Sequence, residues 1–284
     1  MSQDLPFDRA LRRLRRDRSA KRIAGADYMH RMVAEDMIER LGTVTRTFER
    51  ALVLGCGGGL LTEGLRASGV QVVFADPGFA FAQAASGIQA DEDRLPFADA
   101  SFDLVVSVGV LDSVNDLPGA LILIRHVLKP DGLFLGAFAG AGSLPRLRSA
   151  MLAADAAQGG AAPRIHPQID VRAAGDLLTR AGFALPVVDC HGVDVRFGHL
   201  MSLVADLRAM GATNMLAARS RLPLGRHALA AAMADFADHA DADGKTAERF
   251  EILNLLGWAP APWQPKPARR GSGKVSLAQA LKPR

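Results

Sequence analysis

The sequence is short of several things. Only two cysteines, Cys56 and Cys190, occur in 284 residues. Two thiols do not make a disulfide framework, so a reducing, cytoplasmic setting is the simplest expectation. No run of about 18 apolar residues offers a membrane-spanning helix. The order of charged and apolar regions that marks a secretory signal is also missing. Tyr28 is the one tyrosine, and no aromatic residue stands among the arginines near the N-terminus. Stacking usually accompanies charge in nucleic-acid binding, so this pattern argues against a nucleic-acid partner. No internal repeat is visible.

What is present is a chain that is 49% hydrophobic with a net charge of +4. It can bury a substantial core, as one elaborated domain or two closely packed lobes. The positive charge is uneven. Arg9, Arg12, Arg13, Arg15, Arg16, Arg18, Lys21 and Arg22 form a basic N-terminal segment. Lys266, Arg269, Arg270, Lys274, Lys282 and Arg284 form a second one. Such arms either stay solvated or meet an anionic membrane surface or an acidic partner. Residues 7–22 are expected to be helical with Phe7, Leu11 and Leu14 on one side. Residues 26–41 repeat Met29, Met32, Val33, Met37 and Leu41 at helical spacing. Tyr28 reads either as a cofactor cover or as an interfacial anchor.

Residues 52–59 read LVLGCGGG. An apolar strand (50–54) runs into alternating glycines Gly55, Gly57 and Gly59 and opens a helix (60–67). Glycines let the backbone approach a ligand, and the helix start offers unsatisfied N–H groups. A second strand (70–75) ends at Asp76, 21 residues after Gly55. A carboxylate there can accept two hydrogen bonds from a ribose diol. A short helix (79–86), a short strand (88–90), a buried apolar strand (102–110), a helix (118–128) and a strand (133–139) follow. Lys129–Gly132 is expected to end that helix. The alternation implies a parallel sheet with helices on both faces. Further helices are expected at 144–157, 170–181 (capped by Asp170), 200–210 and 224–240. Strand material is expected at 184–190, 193–197 and 250–256. The domain reading is a basic helical extension (1–41), a cofactor-binding core (42–198), a helical elaboration with the final core strand (199–260) and a basic tail (261–284).

A nicotinamide cofactor would call for glycine or alanine at the sixth position of the loop. That position holds bulky Leu60. The stretches LVLGCGGG (52–59), FADP (74–77), ADEDRLPFADASFDLVVS (90–107) and HVLKPDGLFLGAF (126–138) resemble the class I S-adenosylmethionine-dependent methyltransferases. FDRALRR (7–13), VNDLPGAL (114–121), ILNLLGW (252–258) and RRGSGKVSL (269–277) resemble, more narrowly, the methyltransferase-like assembly factors of respiratory complex I. The resemblance implies a Rossmann-like seven-stranded sheet ordered 3-2-1-4-5-7-6 with the last strand antiparallel. It implies S-adenosylmethionine as cofactor, with Gly55, Gly57 and Gly59 beside its amino-acid end, Asp76 on ribose, and Asp91 on adenine; Glu92 joins the expected binding set.

The first expected function is methyl transfer to a protein acceptor. The alternatives are an arginine hydroxylase or assembly factor acting on a complex I subunit, and a non-catalytic module that keeps the fold. The expected location is cytoplasmic, with peripheral contact at the inner face of the inner membrane. The chain departs from the pattern at Val53, where an acid is usual, and at Asp112-Ser113, where the family has His-Trp. Asp112 is the one candidate catalytic residue. His166, His191 and Asp194 read as structural, and no set of ligands for a metal emerges.

Overall fold

A computed structural model describes residues 5–55, 59–265, 272 and 276. The glycine-loop residues 56–58 and nearly all of the basic tail lie outside the described residues. The first helix, α1, spans Arg9–Ala20 and is capped by Asp8, whose side chain accepts from the Leu11 N–H. A 3-10 turn, Ile23–Gly25, leads to α2, Tyr28–Gly42. Then β1 (Arg50–Gly55), α3 (Leu60–Ala67), β2 (Gln71–Asp76), α4 (Phe79–Ala84), β3 (Ile88–Gln89) and β4 (Phe102–Val108) alternate. After α5 (Leu117–Val127) and β5 (Leu128–Ala139) come α6 (Pro145–Gln158), α7 (Val171–Arg180) and β6 (Ala184–Phe197). The chain closes with α8 (Leu200–Ala209), α9 (Arg226–Ala237) and β7 (Thr246–Trp258).

The seven strands form one sheet in the order β3-β2-β1-β4-β5-β7-β6. The first five are parallel, and β7 enters antiparallel between β5 and β6. This is the Rossmann-like methyltransferase sheet expected above, with helices on both faces. Strand β1 shows why both faces are covered. Ala51 and Val53 enter the core shared with α2, α3, α6, α8 and α9, while Leu52 and Leu54 enter the one shared with α5 and α7. A strand apolar at every position cannot leave either face in water.

Local departures from expectation have local causes. Lys129–Gly132 does not end the segment as a turn. It forms an irregular stretch inside β5, where the ladder jumps from Phe102–Leu128 to Leu104–Leu133 and Asp131 takes a positive φ of 63°. The two pieces at 184–190 and 193–197 are one strand, because β7 extends to Thr246 and pairs with it as far as Phe197. Asp170 caps α7 as expected, accepting from the Ala173 N–H.

The largest correction concerns α1. Its buried residues are Arg12, Arg16 and Ser19, while Leu14 is exposed. The arginine-rich segment is therefore not a solvated arm. It lies across the carboxyl ends of the parallel strands with its charged face inward.

Candidate functional site

The carboxyl ends of β1, β2 and β4 frame the crevice where open α/β sheets take ligands. Gly55 closes β1 with φ 76°. A Cβ there would stand 2.5 Å from Val110 Cγ1 and 2.6 Å from the Val108 carbonyl oxygen. The exit of β4 thus demands glycine whether or not a ligand binds. Gly59 is the N-cap of α3; Gly57 lies outside the described residues. Val53 is fully buried in the core beneath α2, so no polar anchor precedes the loop.

The three expected carboxylates converge on the crevice, and α1 reaches all of them. Asp76 ends β2 with no solvent exposure. Its Oδ1 accepts from the Gly78 N–H at 2.7 Å and from Arg16 Nε at 3.2 Å, and its Oδ2 pairs with Arg16 Nη2. Asp91 is held by Arg9 Nη1 at 2.7 Å and Arg13 Nη2 at 2.5 Å. Glu92 accepts from Arg12 Nη1 at 2.8 Å. The same guanidinium donates to the Val110 carbonyl at 2.7 Å and to Ser113 Oγ at 3.1 Å. Arg9 also takes Asp93 with two parallel bonds of 2.7 and 2.8 Å. Arg16 lies over the Phe81 ring at 4.7 Å.

These pairs set the charge states. Burial alone would raise the Asp91 carboxyl, but hydrogen bonds from Arg13 and Arg9 outweigh it and hold it below the usual carboxylate range. Burial raises Glu92 against the pull of Arg12. The arginine lattice is the feature that sequence reasoning missed. Its signal was legible as Arg9, Arg12, Arg13 and Arg16 at three- and four-residue spacing, one face of a helix.

Two of the narrower motifs meet at the start of α1. Asn115 accepts from the Phe7 N–H at 2.8 Å and donates to the Phe7 carbonyl at 3.2 Å. The Phe7 ring is buried with Met215 and Leu216 and meets His166 edge-on at 5.1 Å.

Beyond the arginines lies a mostly apolar cavity of about 270 Å³ between α2, α6, α8, β7 and the ends of β4 and β5. Met29, Leu147, Leu207, Met210 and Phe250 supply walls, and His30, Asp112 and His166 supply polar edges. Asp112 Oδ1 is buried with no hydrogen-bond partner. His30 Nδ1 is likewise buried and unpaired. Burial first, and the Arg16 charge second, push the His30 imidazole down to about 4. His166 is lowered by burial and is already engaged, with Nε2 accepting from the Met215 N–H at 3.0 Å.

Other candidates fall away from the cavity. His191 meets Asn254 Nδ2 at 3.1 Å and Asp194 pairs with Arg249, both on the β6–β7 ribbon. Cys190 Sγ donates to Glu251, and burial pushes its thiol up to about 11. Tyr28 anchors α2 to α8 through Asp206 at 3.1 Å and covers no crevice. Among the described residues, no cluster of metal-ligating side chains occurs and no helix is long and apolar enough to cross a membrane.

Sheet order, the glycines flanking the β1–α3 connection and the strand-end acids define the class I S-adenosylmethionine-dependent methyltransferase fold. A methyltransferase-domain family model matches residues 52–136. The YcgJ protein of Bacillus subtilis shares the fold at TM-score 0.54 and 15% identity, over 80% of this chain and 98% of that one. A SAM-dependent methyltransferase of Thermotoga maritima does so at 0.51 and 15%, over 87% and 99%. The chain is 37% identical to the mitochondrial arginine-hydroxylase NDUFAF5 of Danio rerio, over 97% of this chain and 89% of that protein. It is 36% identical to the human protein of the same name, over 96% and 82%. The chain belongs to the NDUFAF5 family.

It is also 32% identical to a malonyl-[acyl-carrier protein] O-methyltransferase of Methylovorus sp. (strain MP688), over 89% and 90%. The NDUFAF5 relatives correct one expectation: they are named as mitochondrial proteins, against the cytoplasmic location read from cysteine content. Few cysteines report redox conditions and do not distinguish one reducing compartment from another.

Fold and family point to an S-adenosylmethionine-type site. Position agrees: Gly55, Gly59, Asp76, Asp91 and Glu92 stand around the strand ends. Availability does not. Both oxygens of Asp76 are engaged by Arg16, and Asp91 is buried under Arg9 and Arg13. With α1 seated, the crevice does not fit an adenosyl group.

Proposed function

We propose that this chain is an NDUFAF5-type factor that takes an arginine side chain of a protein partner, a subunit of respiratory complex I, into the cavity beside Asp112 for modification. The observation that carries this reading is the unpaired Asp112 Oδ1 at the edge of an apolar cavity. A buried acceptor without a donor is costly, and an entering guanidinium supplies charged N–H donors while its methylene stem lies on apolar walls. Neutral His30 can accept a further hydrogen bond from that group at Nδ1 without adding like charge. The names of the vertebrate relatives support arginine as the target and favour hydroxylation over the methyl transfer expected first. Methylation is kept as the second reading, because a bacterial relative is named an O-methyltransferase.

The two are separated by co-expressing the chain with candidate subunits and mapping every modified residue, arginines and carboxylates alike, by tandem mass spectrometry. A mass gain of about 16 Da at arginine is expected, and a gain of about 14 Da at any side chain marks methylation. Subunits that associate tightly yet stay unmodified would leave only the non-catalytic module.

A further inference from the structure

Four arginines from one face of one helix neutralise every carboxylate that the sequence assigned to the cofactor. Arg16 occupies Asp76, Arg9 and Arg13 occupy Asp91, and Arg12 occupies Glu92. The backbone makes room for this. A Cβ on Gly78, two residues past Asp76, would stand 2.6 Å from Arg16 Cβ, so only glycine lets α1 approach so closely. The helix is tied at both ends, by the Asn115–Phe7 clamp and by Ser19 Oγ donating to the Ala209 carbonyl at 2.5 Å.

A ribose diol binds a carboxylate by donating two hydrogen bonds. The guanidinium fork of Arg16 already donates two to the same carboxylate, which has no exposed surface left. We propose that α1 and an adenosyl group are mutually exclusive occupants of the Asp76–Asp91 crevice, so that the arginine helix is a built-in competitor of the cofactor. This rests on the class I cofactor site and not on the arginine cavity. The apparent affinity for an adenosyl ligand is then reduced by the fraction of molecules in which α1 has left. Docking of a partner that draws α1 away raises it.

The test is titration calorimetry of S-adenosylhomocysteine into the full chain, R16A and the milder double variant R9A/R13A, whose arginines are partly exposed. Cooperative thermal unfolding serves as the folding control. Hydrogen exchange of the wild-type Arg9–Ala20 amides with and without ligand is measured in parallel. Mutual exclusion predicts at least about tenfold tighter binding by the variants. It also predicts faster exchange of α1 when ligand is added to wild type. Equal or weaker binding by the variants, with α1 amides slowed by ligand, makes the helix a cover over the cofactor and overturns the proposal alone. No binding by any of the three proteins overturns it together with the cofactor assignment, and leaves the arginine-modification test above untouched.

Discussion

At the scale of single residues, the proposed chemistry rests on Asp112 and the pH response on His30. Asp112→Asn keeps the shape of the side chain and removes the charge. A charge-assisted hydrogen bond contributes about 1.5–3 kcal/mol, so modification of the partner arginine should fall about ten- to hundredfold. Thermal stability should fall much less than activity, because Asp112 Oδ1 makes no hydrogen bond and only its charge attraction to Arg12 and His166 is lost. His30 is held at about 4, below the ordinary imidazole value of 6.5. The unfolded chain therefore binds the His30 proton first as pH falls. The stability this group contributes is complete above about pH 6.5 and is lost between there and about pH 4. The shift corresponds to about 3 kcal/mol at most. Urea titrations across that range should show a steep loss in wild type and a shallower one in His30→Leu, with the slope from His166 remaining because burial lowers it too.

At the scale of elements, α1 decides how the crevice is used. Its inward face is cationic because the strand ends present Asp76, Asp91 and Glu92, and buried carboxylates need partners. Removing one partner of a buried pair strands the other, at about 3–5 kcal/mol. Arg12→Ala should lower the unfolding free energy measured by urea titration by that order, and adding Glu92→Leu should restore part of it. Asn115→Ala should cost about 1–2 kcal/mol through two lost bonds to Phe7.

Much of this was legible beforehand. Unbroken apolar runs gave β1 and β4, and Asp170 marked the start of α7. The strand-end acids stood where the pattern put them. The orientation of α1 was not legible, since Phe7, Leu11 and Leu14 offered a plausible apolar face. Only the assembled sheet gathers the carboxylates at the end of β2 and in the loop after β3 into one anionic surface, which turns the arginine face inward and leaves Leu14 exposed. The length of β6 was hidden for a similar reason, because β7, some fifty residues later, defines its extent.

At the scale of the whole molecule, the sheet sets the anionic crevice and the apolar cavity side by side. Arg16 and His30 stand where they meet, both lining the cavity. The crevice is the place of the class's cofactor and is held by α1. The cavity, shaped by α2, α6, α8 and β7, is the place proposed for a partner's side chain. The separation explains how relatives named for different chemistry can share one scaffold: function lives in the site grafted on the fold. The most direct measurement places a photoreactive amino acid at Val204, in the cavity wall, and cross-links the chain to co-expressed complex I subunits. The expected result is a cross-linked partner peptide that contains the modified arginine, and loss of that cross-link in Asp112→Asn. Cross-links confined to the chain itself, or a partner cross-link of equal yield in Asp112→Asn, would contradict it.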